Sequence, residues 1–141
     1  LPDTVASRLR VFNDFYAVFT LSDAWSLAAV FDVGFQKQTS GSSYDSWQAA
    51  SLMVRHTIDQ QWTVAARGEY FSDKNGVIIP TGTPNNFQTV GGSINVDYAA
   101  SSSLLWRLEG RMFNSKDPLY PSGGGLKKTD GFVALSAAIS L

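Results

Sequence analysis

Residues 25–36 read WSLAAVFDVGFQ. Trp25, Leu27, Ala29, Phe31, Val33 and Phe35 fall on one set of alternate positions, and Ser26, Ala28, Asp32, Gly34 and Gln36 on the other. Successive side chains of an extended strand point to opposite faces, so this period demands a β-strand with one apolar and one polar face. The pattern returns along the chain. Trp62, Val64, Ala66, Gly68 and Tyr70 stand against Thr63, Ala65, Arg67 and Glu69, and Trp106, Leu108 and Met112 against Arg107, Glu109 and Arg111. At the end of the chain, Val133, Leu135, Ala137, Ile139 and Leu141 alternate with Ala134, Ser136, Ala138 and Ser140. Seven strands are predicted, near 8–21, 25–37, 47–58, 62–72, 87–99, 104–114 and 130–141. All five prolines lie outside them, because proline cannot donate to a strand ladder. No segment holds a helical period, and none approaches the ~18 apolar residues of a membrane helix.

A soluble sandwich alternates too, with its apolar face in a core. Four features point instead to an antiparallel up-and-down transmembrane β-barrel. The strands are long; twelve residues rising ~3.3 Å each and tilted ~40° cover an apolar band of about 25 Å. Short turns near 22–24, 59–61 and 100–103 alternate with long connections near 38–46, 73–86 and 115–129, as periplasmic turns alternate with outer loops in such barrels. Trp25, Trp62, Trp106 and Tyr98 cluster beside the short turns, with Trp47 and Tyr70 at the other end, which reads as two belts of amphipathic rings at the membrane interfaces. Finally, Arg8, Arg10, Arg55, Arg67, Arg107 and Arg111 all fall within strands, whereas Lys37, Lys74, Lys116, Lys127 and Lys128 occupy the long loops or their margins. Arginines sharing a face with Asp14, Asp32, Glu69, Asp97 and Glu109 describe an enclosed wet lumen better than an open surface.

The composition agrees with one domain over 1–141. Charged residues make up 16% of the chain, below the roughly one quarter of soluble domains, and apolar residues 44%. A net charge of −1 gives no basis for nucleic-acid binding. The chain has no cysteine and so neither disulfides nor thiolate chemistry.

Seven strands are an odd number, and single-chain bacterial barrels have an even one. Strands 8–21 and 130–141 both run from the long-loop side toward the short-turn side. The expectation is therefore the C-terminal part of a larger, even-stranded barrel, with residues 8–21 at an open edge or paired to a strand outside this sequence. The closing strand, with Val133, Leu135, Ala137, Ile139 and Leu141 on one edge, has the form of the C-terminal signal read by barrel-assembly machinery. Such signals usually end in Phe, and this one ends in Leu141.

The stretches WTVAARGEYFSDKNGVII (62–79), INVDYAASSSLLWRLEGRMF (94–113) and RLRVFNDFYAVF (8–19) resemble the OmpL-like β-barrel porins. That resemblance spans most of the chain. It implies a porin-like barrel in the outer membrane of a Gram-negative bacterium, longer than 141 residues, and it supplies no substrate.

Little in the sequence points to catalysis. The sole histidine, His56, is in phase with Leu52 and Val54 on the apolar edge, away from a nucleophile. One imidazole and no thiol give no transition-metal set, and no cofactor is expected. In SDKNG (72–76), Asp73 and Asn75 have the spacing of a calcium loop, but Gly76 follows too soon and Pro84 stands where a glutamate is required. Asn75-Gly76 is better read as a tight turn.

The expected pore lining is Asp14, Asp32, Arg67, Glu69, Arg107, Glu109 and Arg111, either as a salt-bridged ladder bracing the wall or as a charged lining that selects solutes. Two functions follow: a channel for passive diffusion of small hydrophilic solutes, or a non-conducting barrel that anchors a protein partner. The expected partners are outer-membrane lipids, the assembly machinery, and a protein or a second copy of the chain.

Overall fold

A computed structural model of the chain describes residues 8–140. The described residues form nine strands and no helix: β1 (Arg10–Thr20), β2 (Trp25–Lys37), β3 (Tyr44–Thr57), β4 (Trp62–Asp73), β5 (Phe87–Ser101), β6 (Leu104–Ser115), β7 (Tyr120–Ser122), β8 (Gly125–Lys127) and β9 (Thr129–Ile139). Seven of them make one antiparallel up-and-down sheet, ordered β1-β2-β3-β4-β5-β6-β9. The short strands β7 and β8 form a hairpin within the last long connection, an element the sequence pattern did not reveal. The fold class is the one expected. β1 and β9 occupy the two edges and are not paired with each other, so the sheet is not closed, and β1 lies at an open edge as anticipated. Leu141 lies outside the described residues.

Cross-strand register sorts the side chains into two faces. One row runs Val18–Ala28–Met53–Arg67–Ser93–Arg111–Phe132, and the next runs Tyr16–Val30–Ser51–Glu69–Gly91–Phe113–Asp130. These rows lie on the polar face. The opposite, apolar face has rows such as Phe31–Ala50–Tyr70–Val90–Asn114 and Val64–Val96–Leu108–Leu135. One hollow of about 420 Å³ spans β1 through β6 and is lined mainly by polar-face residues, among them Val18, Ala28, Arg67, Asn95 and Arg107, so the polar face is the concave one.

The distribution of exposure is inverted relative to a soluble domain. Within β2–β6 every large exposed hydrophobic side chain, from Trp25 and Phe31 to Leu108 and Met112, lies on the convex apolar face. Among the described residues Trp47 is the single buried hydrophobic one, while Gln36, Ser72, Asp73, Thr89, Asp97 and Ser115 are buried polar ones. Water would penalise such a convex face heavily; lipid would not.

The short turns set the height of the tryptophans. Ser22 Oγ accepts from the N–H groups of Ala24 and Trp25, and Asp59 Oδ1 accepts from those of Gln61 and Trp62, at 2.8 Å each in the second case. Each side-chain cap therefore hands the chain back to the ladder at a tryptophan. Trp62 and Tyr98 then meet across the strands at 4.7 Å, and Trp25 stacks on His56 at 4.2 Å.

The connection after β4 is tied down from inside. Asp73 is fully buried, and its carboxylate accepts from the N–H groups of Val77, Ile78 and Ile79 at 2.9, 2.6 and 2.8 Å. Asn75-Gly76 makes the expected turn, with Gly76 at φ 64° and its N–H bonded to the Asp73 carbonyl. Farther along, Asn85 donates from its backbone and its side chain to Asp117, joining this connection to the next; these bonds, the side-chain one foremost, hold the Asp117 carboxyl below its usual range. Asp73→Ala is expected to cost about 1.5–3 kcal/mol, the range for hydrogen bonds to a charged group. Hydrogen exchange should rise first at Val77–Ile79 while the strand amides stay protected; unchanged exchange there would show that the carboxylate does not hold the loop.

Candidate functional site

The concave face has two tiers. Toward the short turns it is charged; toward the long connections it is aromatic. In the charged tier Arg107 of β6 lies directly opposite Asp97 of β5 and donates through Nε and Nη2 to its two carboxylate oxygens, both at 2.7 Å. Planar, two-point geometry of this kind is the strong form of an arginine–carboxylate pair. Asn95 Nδ2 donates to the same carboxylate at 2.9 Å.

Glu69 of β4 is shared by two arginines. Arg67, two residues before it on the same face, pairs with one of its oxygens. Arg111 reaches the other from β6 at 3.1 Å through Nε and 2.5 Å through Nη2, crossing the whole of β5. The crossing needs a low floor, and the register puts Gly91 and Ser93 beneath it. A Cβ on Gly91 would lie 2.7 Å from Glu69 Oε1 and 2.9 Å from Phe113 Cδ1, so only glycine lets carboxylate and ring close over β5. Arg111 also sits over the Phe113 ring, 4.8 Å from its centroid.

The expected lining thus separates into parts. Arg67, Glu69 and Arg111 form one triad, and Arg107 joins Asp97. Glu109 shares the face, opposite Asn95, and makes no ion pair among the described residues. Asp14 and Asp32 lie opposite each other on β1 and β2, and Asp32 borders a hollow with Arg67 and Arg111 without an ion pair to either among the described residues.

One interface assignment is corrected. Trp25, Trp62, Tyr70, Tyr98 and Trp106 lie on the apolar face, but Trp47 does not. It is opposite Gly34, in line with Ala49, Ser51 and Asp45 on the concave face, and is buried there. Gly34 is the reason: a Cβ at that position would stand 1.9 Å from Trp47 Cζ2, so the missing side chain is the slot for the indole. Phe12 stacks nearly parallel to Trp47 at 6.4 Å, and the Arg10 guanidinium lies 5.6 Å from the indole centroid while bonding Gln36.

The aromatic tier was missed by sequence reasoning. Phe71, Phe87 and Phe113 lie on the concave face with Trp47 and Phe12, and Tyr120 joins them from β7. The signal was present: Phe71 has the parity of Arg67 and Glu69, and Phe113 that of Arg107 and Arg111.

His56 lies on the apolar face, as its phase predicted, between Trp25 and Val64. Val133, Leu135, Ala137 and Ile139 form the apolar edge of β9.

A family model described as putative beta-barrel porin-2, OmpL-like, matches residues 2–141. No curated protein and no solved structure matches the chain significantly.

Proposed function

Because the chain belongs to the OmpL-like β-barrel porin-2 family, we propose that its seven-stranded sheet is part of the wall of a porin in a Gram-negative outer membrane, passing small hydrophilic solutes by diffusion. The observation that carries this reading is the inverted sorting of side chains: a convex face of exposed Leu, Val, Ile and Trp behind a concave face lined with ion-paired arginines. Lipid accepts the first face, and a water-filled passage accepts the second. In hydrocarbon neither sheet edge can stay unpaired. β1 and β9 run the same way, so closure in antiparallel pairing takes an odd number of further strands. One such strand would make an eight-stranded barrel, just wide enough for its own side chains to fill, whereas three or more would leave room for water between them.

Outer-membrane lipids meet the convex face, with Trp25, Trp62, Trp106 and Tyr98 at one interface and Tyr70 near the other. The β9 edge from Val133 to Ile139 is the proposed contact for assembly machinery. The porin family is generally non-enzymatic, and a diffusion channel needs no catalytic group.

Single-channel recording of the full-length protein in planar bilayers tests the reading. Discrete conductance steps are expected. Substituting Arg67, Arg107 and Arg111 by glutamine leaves Glu69 and Asp97 uncompensated and should turn selectivity toward cations. In a tenfold salt gradient the reversal potential should move by on the order of 10 mV, against a ceiling of ~59 mV. Steps with an unmoved potential would make the arginines braces only. Absence of steps would favour the anchoring barrel.

A further inference from the structure

The charged tier is explained by a passage for water and ions; the aromatic tier is not. A lumen that merely conducts has no use for apolar rings on its wet wall, where exposed carbon is unfavourable. Here rings are grouped rather than scattered. Phe71 meets Phe87 edge-on at 5.6 Å, and Phe113 meets Tyr120 at 6.3 Å, all four half-buried. Tyr120 is held by a hydroxyl contact with Thr89 at 3.1 Å. The four rings border one hollow of about 570 Å³, within the range of small-molecule sites, and Arg67, Arg111 and Glu69 border the same hollow.

Arg67 and Arg111 share the single carboxylate of Glu69 there, and Arg67 Nε has no acceptor among the described residues. Asp32 of β2 borders the hollow as well, but it stands opposite Asp14 in the ladder and makes no ion pair with either arginine among the described residues. Arg111 over the Phe113 ring places a guanidinium directly beside an aromatic face. We propose that this hollow is a binding subsite for small aromatic monocarboxylates, the ring lying against Phe71, Phe87 and Tyr120 and the carboxylate drawn to Arg67 and Arg111. Offset or edge-on packing among rings and charge-assisted bonds to guanidinium act on the two ends of the same solute. An entering solute meets the rings from the long-loop side and the arginines next, so the subsite is a step on the proposed diffusion path and, in that sense, rests on the porin reading.

The test uses the full-length protein in two formats. Calorimetric titration in detergent micelles measures binding without conduction, with benzoate, benzylammonium and glucose as probes. Recording in bilayers measures block of the open channel by benzoate. Benzoate is expected to bind, with benzylammonium and glucose at least about tenfold weaker, because benzylammonium lacks the carboxylate and glucose lacks both the carboxylate and the ring. Phe71→Ala and Arg111→Gln should each weaken benzoate roughly tenfold, a range usual for a well-placed ring or a charged bond. Phe71→Leu, which keeps bulk without the ring, should also weaken it while the protein folds normally. Binding in micelles without conductance steps would leave the subsite standing and overturn the porin. Conductance with no benzoate binding, or with tighter binding of glucose or benzylammonium, would overturn the subsite and leave the porin standing. Benzoate affinity unchanged in both Phe71 variants would assign the rings to packing alone.

Discussion

Leu135→Arg is expected to destabilise the protein in a bilayer by about 2–4 kcal/mol, the cost of a lipid-facing arginine near mid-membrane. Ala134→Arg, one residue away, is expected to be nearly neutral or stabilising. Leu135 belongs to the convex face, opposite Leu108, and is 68% exposed. Ala134 faces the other way, opposite Glu109, which makes no ion pair among the described residues. A cross-strand partner of opposite charge there should add ~0.2–1 kcal/mol. Reversible urea unfolding in lipid vesicles, followed by tryptophan emission, measures both. Equal costs, or the reverse order, would mean that the faces have been assigned wrongly.

Gly34→Ala should be nearly as harmful although it adds a single methyl group. The new Cβ would stand 1.9 Å from Trp47 Cζ2 and 2.1 Å from Cε2, both part of a rigid ring in contact with Phe12. The indole must leave its slot or the β2–β3 ladder must part, and overpacking of this kind costs about 1–3 kcal/mol. Trp47→Ala made on the Gly34→Ala background should recover much of the loss, a coupling of up to ~3 kcal/mol between contacting residues. The emission of the displaced indole should shift to longer wavelength as it meets water. Additive costs in the double variant would show that the glycine serves some purpose other than admitting the ring.

Most of the sheet was legible because alternation is a local signal. Residues 25–37, 62–72 and 104–114 coincide with β2, β4 and β6 to within a residue, and the arginine-to-loop lysine sorting identified the concave face. The β7–β8 hairpin was not, since three-residue strands in a glycine-rich connection are too short to show a period. The alternation put the aspartates of β1 and β2 on the face of the arginines, and Asp32 does border a hollow with Arg67 and Arg111, but only the ladder sets Asp14 and Asp32 opposite each other.

Trp47 marks the boundary between the two kinds of information. Its parity with Ser51 already put it on the polar edge, but a large ring there is disfavoured unless something opposite yields space. Which residue stands opposite is a property of register, and register pairs it with Gly34. The Glu69–Arg111 pair is of the same kind, spanning 42 residues of sequence and one intervening strand over a glycine. By itself the sequence determined the strands, their two faces and the solvent each face tolerates, because those depend on the chemistry of neighbours one or two positions apart. Only the tertiary structure decided which rings share a slot, which charges meet and where the hollow between them lies, because those depend on residues that the chain brings together from different strands.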